Sequence, residues 1–122
     1  MYKKAILTAD HLIRIAPQAH DLYLMCGMLR EKTGDTTVAK TYFIKSLQIC
    51  NAVLDTMNVK NTDYDMVSMN RAINITMLGD STEGNLLLAQ LYDRHKNDGW
   101  KDVITPFLNK GKNELIEEAF RK

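Results

Sequence analysis

Moved along itself by 34 residues, this chain repeats its own pattern: Ala5 falls on Ala39, Ile13 on Leu47 and Ile15 on Ile49. Such self-similarity restricts the fold more than composition does. A unit that cannot bury its apolar face alone must stack on its neighbours. The repeated unit reads as helix, because apolar residues recur three and four apart and no stretch keeps the alternation of a strand. Glycine and proline are few, six and two, which favours long helices joined by short turns.

Spacing predicts a first helix from about Lys3 to Ala16, ended by Pro17. Its apolar face is read as Ala5, Ala9, Leu12, Ile13 and Ala16, with Lys3, Asp10 and Arg14 on the wet side. A second helix runs from about His20 to Thr33 and a third from Thr36 towards Met57. A fourth covers about Asp63 to Leu78 and a fifth Thr82 to Lys96. Gly34-Asp35 and Gly79-Asp80 are the turns within the two pairs: glycine suits a left-handed helix end, and aspartate caps the helix that follows. The tail, Trp100 to Phe120, is amphipathic but broken by Pro106 and Gly111, so two short helices or one kinked helix are expected.

Residues 19–51 resemble a tetratricopeptide repeat of bacterial style. Tyr23 stands at the large aromatic position, Cys26-Gly27 at the Leu-Gly pair, and Ala39, Phe43 and Ser46 form the small–aromatic–small set of the second helix. Arg30 departs from the family, which favours tyrosine there, and Asn51 replaces a closing proline. Residues 62–96 resemble a degenerate repeat through Asn70, Ala72, Gly79-Asp80 and Gly84, and residues 3–16 resemble a lone second helix. The two Gly-Asp turns lie 45 residues apart, eleven more than the period, which places an insertion within residues 51–61. The resemblance implies a single all-α domain, an α–α superhelix of about 2.5 repeats. Residues 98–121 would form a C-terminal cap.

Little in the chain points to chemistry. Lysine plus arginine number 16 and aspartate plus glutamate 15, a balance without the basic excess of a nucleic-acid binder. Cys26 and Cys50 lie in apolar helical stretches away from any metal-ligand spacing and read as packed thiols. His11, His20 and His95 fall on three different helices with no triad geometry to propose. Lys110-Gly111-Lys112 lacks the rest of a phosphate loop, Glu114, Glu117 and Glu118 read as a solvated face, and the Asn74-Ile75-Thr76 sequon falls in mid-helix. The expectation is a non-enzymatic chain with no cofactor, no metal, no nucleic-acid partner and no membrane-inserted segment, in the cytoplasm ahead of a bacterial cell envelope.

In the family the first helix of each pair lines a concave surface. Carried over, that surface takes Asp21, Leu24, Met25, Met28 and Lys32 from one repeat and Met66, Met69, Asn70, Ile73 and Met77 from the next. Five of the seven methionines fall in this set, and methionine suits adaptable apolar recognition. The candidate peptide groove is therefore Leu24, Met25, Met28, Met66, Met69, Asn70 and Ile73. A carboxylate clamp needs lysine, arginine and asparagine, and only Asn70 fits. Three readings stay open: a protein-interaction module with an apolar groove for a peptide or helix, methionines that are only core beneath a capping tail, and a homodimer through an uncapped edge around Ile6 and Leu7. A structural or regulatory fragment of a larger bacterial protein or envelope assembly, with no groove of its own, is the alternative of a different class. The pair Met25→Glu with Met69→Glu is expected to keep the fold and lose binding.

Overall fold

The same turn is built twice. At Gly34 (φ +91°) and Gly79 (φ +109°) the chain enters the left-handed region that glycine tolerates. The N–H of Asp35 reaches back to the Arg30 carbonyl at 2.9 Å and that of Asp80 to Ile75 at 3.1 Å, closing two Schellman ends. Each aspartate then caps the next helix: Asp35 accepts from the Val38 N–H at 3.4 Å and Asp80 from the Glu83 N–H at 3.0 Å. These turns join α2 (His20–Lys32) to α3 (Thr36–Thr56), and α4 (Tyr64–Met77) to α5 (Ser81–His95), in a computed structural model that describes residues 2–121. Ahead of them lies α1 (Tyr2–Ile15), and after them α6 (Trp100–Ile104), a 3-10 turn (Thr105–Phe107) and α7 (Lys112–Ala119). The described chain is all-helical. The long α3, 21 residues against 13 in α2, takes up part of the insertion expected within residues 51–61.

Each of α1 to α6 packs chiefly on its neighbour in sequence, and α2 also touches α4. Phe43, Ala72, Leu88, Ile104 and Leu115 are essentially sealed from water within one core. The tail forms two separate short helices. The first, α6, packs on α5, whereas α7 turns back across α2 and α4. Lys112 Nζ meets Glu31 at 2.9 Å, tying the start of α7 to the end of α2.

Two expectations about α1 are corrected. Its inward stripe is buried Ala9 with half-buried Tyr2, Ile6 and Ile13, packed on Cys26 and Leu29, whereas Ala5 and Leu12 are exposed. Leu7 is open as expected but Ile6 is half-buried. Both stripes satisfy helical spacing, and the position of α2 decides between them. Asp10 is not simply on the wet side: it accepts from Arg30 at 2.9 Å and from the Tyr42 hydroxyl at 3.0 Å, linking α1 to α2 and α3. Arg30 is thus the partner of an acid 20 residues upstream.

Candidate functional site

The seven candidate residues converge. Leu24, Met25, Met28, Met66, Met69, Asn70 and Ile73 all line one open groove of about 800 Å³. Three facts of local structure bring them together. Asp21, Leu24, Met25 and Met28 recur at helical spacing along one side of α2, and Met66, Met69, Asn70 and Ile73 do so along α4. The touch between α2 and α4 sets the two rows side by side. The third is α7, which lies over the far end of this surface and leaves the near end open.

The row divides by burial. Leu24, Met28, Met69, Asn70 and Ile73 are buried and form the floor, which is also core. Met25 and Met66, 54% and 41% exposed, form the rim. Lys32 and Met77, also expected on this surface, lie outside the groove. Met77 is buried in the same core as Leu115 and Ile116 of α7. Met69→Glu would accordingly place a charge in the core, and Met66 is the position that tests binding without that cost.

Two walls lie beyond the seven candidate residues. One is α1, through Lys4, Ala5, Thr8, Ala9 and Leu12; the other is the tail, through Phe107, Ala119 and Phe120. Phe120 closes the ring by packing edge-on against Tyr2, with centroids 5.7 Å apart. The α1 wall had a signal: under the 34-residue shift Ala5 and Leu12 correspond to Ala39 and Ser46, which α3 buries. The tail was expected as a cap, but its periodicity does not say where α7 docks.

Beneath one end of the groove runs a polar ladder. Asn70 Nδ2 lies 3.2 Å from His20 Nδ1, the Ser46 hydroxyl donates to the His20 carbonyl at 2.8 Å, and Asn74 Nδ2 donates to Ser46 Oγ at 2.7 Å. These bonds fasten the start of α2 to α3 and α4, so the two groove rows are held in register. Asn74 is wholly buried, which puts its sequon out of reach of a modifying enzyme.

Ionisable groups with shifted affinity lie away from the groove opening. Burial pushes the thiols of Cys26 and Cys50 up to about 11, so both stay protonated and unreactive near neutrality. Burial, with help from Asp10, also raises Tyr42. His95 is held between two carboxylates, 2.8 Å from Asp98 and 2.9 Å from Asp65, and its affinity for a proton rises, chiefly through the Asp98 bond. The same bond lowers Asp98. The three histidines stay apart: His11 is exposed on α1, His20 belongs to the ladder, and His95 is at the end of α5. Among the described residues no cluster of three or more histidine, cysteine or carboxylate side chains is placed to hold a metal ion, and no helix is long and apolar enough to cross a membrane. The chain matches no model of a known protein family, no curated protein and no solved structure.

Proposed function

We propose that this chain is a protein-interaction module of the tetratricopeptide kind, which binds an apolar segment of a partner protein in the groove between α1, α2, α4 and the tail. One observation carries the reading: two methionines stand exposed at the rim of a preformed apolar groove whose floor is already sealed core. Such a shape gives a partner's apolar side chains somewhere to go without unfolding anything first. Methionine's flexible thioether lets the rim adapt to more than one contour. The pairwise stacking of α1 to α5, the touch between α2 and α4, and the 34-residue internal period support the superhelical repeat reading. No step of chemistry is assigned to the groove, whose ionisable linings among the described residues are Lys4 and Asp21.

The test is selection from a displayed library of amphipathic peptides, followed by affinity measurement on Met25→Glu with Met66→Glu. Both residues are exposed, so the melting temperature should hold within a few degrees while selected peptides lose at least about tenfold in affinity, the worth of roughly one buried apolar side chain. Peptides that bind the double variant as well as the parent, or a library that yields no binders, would sink the reading.

A further inference from the structure

The molecule contains a covered and an uncovered copy of the same helix face. In α3, Ala39 and Ser46 have no exposed surface and Phe43 almost none, because α2 lies antiparallel over them with Gly27 against the Phe43 ring. Thirty-four residues earlier the same face of α1 is Ala5, Ala9 and Leu12. Here Ala5 and Leu12 stay exposed, Ala9 is covered from one side by Cys26 and Leu29 of α2, and all three line the groove. The structure thus displays what covers such a face: a helix, antiparallel to it, resting also on the next helix of its own kind as α2 rests on α4.

Charge points to the same occupant and the same direction. Lys4 lines the groove at the α1 N-terminal end, and Asp21 lines it beside the α1 C-terminal end. A helix carries partial positive charge at its start and partial negative charge at its finish. Docked antiparallel to α1, it sets its start by Asp21 and its finish by Lys4. Copies of this chain offer no better filler. The open arc of α1 interleaves Lys3, Lys4, Thr8, His11 and Arg14 with Ala5, Leu7, Leu12 and Ile15, so its apolar side chains are broken up by polar and charged ones. The large apolar residues exposed on α3 and α5, Ile44 and Leu86, stand singly.

Resting on the interaction reading above, we propose that the groove takes an amphipathic α-helix of a partner protein, docked antiparallel to α1 as α2 docks on α3, with a large apolar residue opposite Ala9. The last specification follows from size. The Phe43 ring reaches α2 so closely that a Cβ on Gly27 would meet it at 2.5 Å. Ala9 has no such ring, so the pairing inverts: the large side chain comes from the partner.

The probes are labelled peptides with the α2 sequence, all carrying Cys26→Ala, in Gly27→Ala and Gly27→Leu forms, titrated against the full chain by fluorescence anisotropy. Alanine and leucine are comparable helix formers, so the two differ chiefly in apolar bulk. The Leu form should bind about tenfold tighter, and Leu12→Glu in the protein should weaken it by a similar factor without moving the melting temperature. Equal binding of the two forms, no binding by either, or indifference to Leu12→Glu overturns the helix pose. Library peptides that still depend on Met25 and Met66 would then leave the broader reading standing, and their absence would remove both. A concentration-dependent dimer by light scattering, abolished by Leu12→Glu, would also overturn the proposal by making a second copy the occupant.

Discussion

The two Gly-Asp hairpins reach the same close helix approach by opposite means. In α2–α3 the glycine is on the first helix, and what fills the space over Gly27 is a side chain, the Phe43 ring. In α4–α5 the glycine is on the second helix. A Cβ on Gly84 would meet the Ala72 backbone carbonyl at 2.8 Å and collide with the Thr76 hydroxyl. One contact is ring on backbone, and the other sets the glycine against a threonine side chain and a backbone carbonyl together. A helix crossing thus needs one missing side chain, and either partner can supply it. The two helix pairs differ in residue identity while the glycine turn and the close approach persist.

The harshest way to break the comparison is to fill both crossings. Gly27→Leu and Gly84→Leu each insert a branched side chain where even a methyl group collides, and interiors packed to crystal density do not absorb that. Each is expected to remove most of the stability of a domain this size, about 5 kcal/mol or more. Circular dichroism at 25 °C should show lost cooperativity in both. A cooperative melt within a degree or two of the parent would refute the crossing that it probes.

Alanine at the same sites separates the two mechanisms. Overpacking by one methyl group costs about 1–3 kcal/mol, offset by up to about 1 kcal/mol of helix propensity. At Gly27 the obstacle is a ring, so Phe43→Leu should relieve it, and a double-mutant cycle should show favourable coupling of about 1 kcal/mol. At Gly84 the Ala72 carbonyl cannot move aside, so Gly84→Ala should cost more, about 2–3 kcal/mol. Thr76→Ala should rescue little of that cost, although alone it is nearly free, because the Thr76 hydroxyl is buried without a partner. Equal rescue at both sites would mean that the crossings are alike.

What could be read from the sequence follows the same division between local and distant causes. Gly34-Asp35 and Gly79-Asp80 announce helix ends through chemistry carried by adjacent residues, and the helix bounds accordingly fall within about one residue of expectation. The rows on α2 and α4 could be named in advance only through the family resemblance, which implies a common face for the first helix of each pair. The buried face of α1 was misread because apolar residues ring most of that helix, from Tyr2 and Ile6 to Leu7 and Leu12, and spacing admits two stripes. The partnership of Asp10 with Arg30 and Tyr42, and the return of α7 across α2 and α4, depend on residues far apart in the chain. No local pattern encodes them.

The hairpins differ finally in how their ends are held by charge, and here the expected effect is smallest. The first is tied to α1 by Arg30, which contacts Asp10 at 2.9 Å and Asp35 at 3.7 Å. The second is tied by His95 between Asp98 and Asp65, with Arg94 also on Asp65 at 3.1 Å. The Nδ1 hydrogen bond to Asp98 and the Asp65 carboxylate beside Nε2 both favour the imidazolium, which is why the folded protein holds that proton more tightly than the unfolded chain does. Between the two values the folded state binds more protons, so stability falls as pH rises. The contribution is therefore complete below the ordinary histidine range and lost as pH climbs through the raised folded value. Melting temperature measured from pH 5.5 to 8.5 should decline across that span in the parent. The decline should flatten in His95→Gln and persist in Arg30→Lys. A slope that survives His95→Gln would place the titration on another group and leave the two hairpins electrostatically alike.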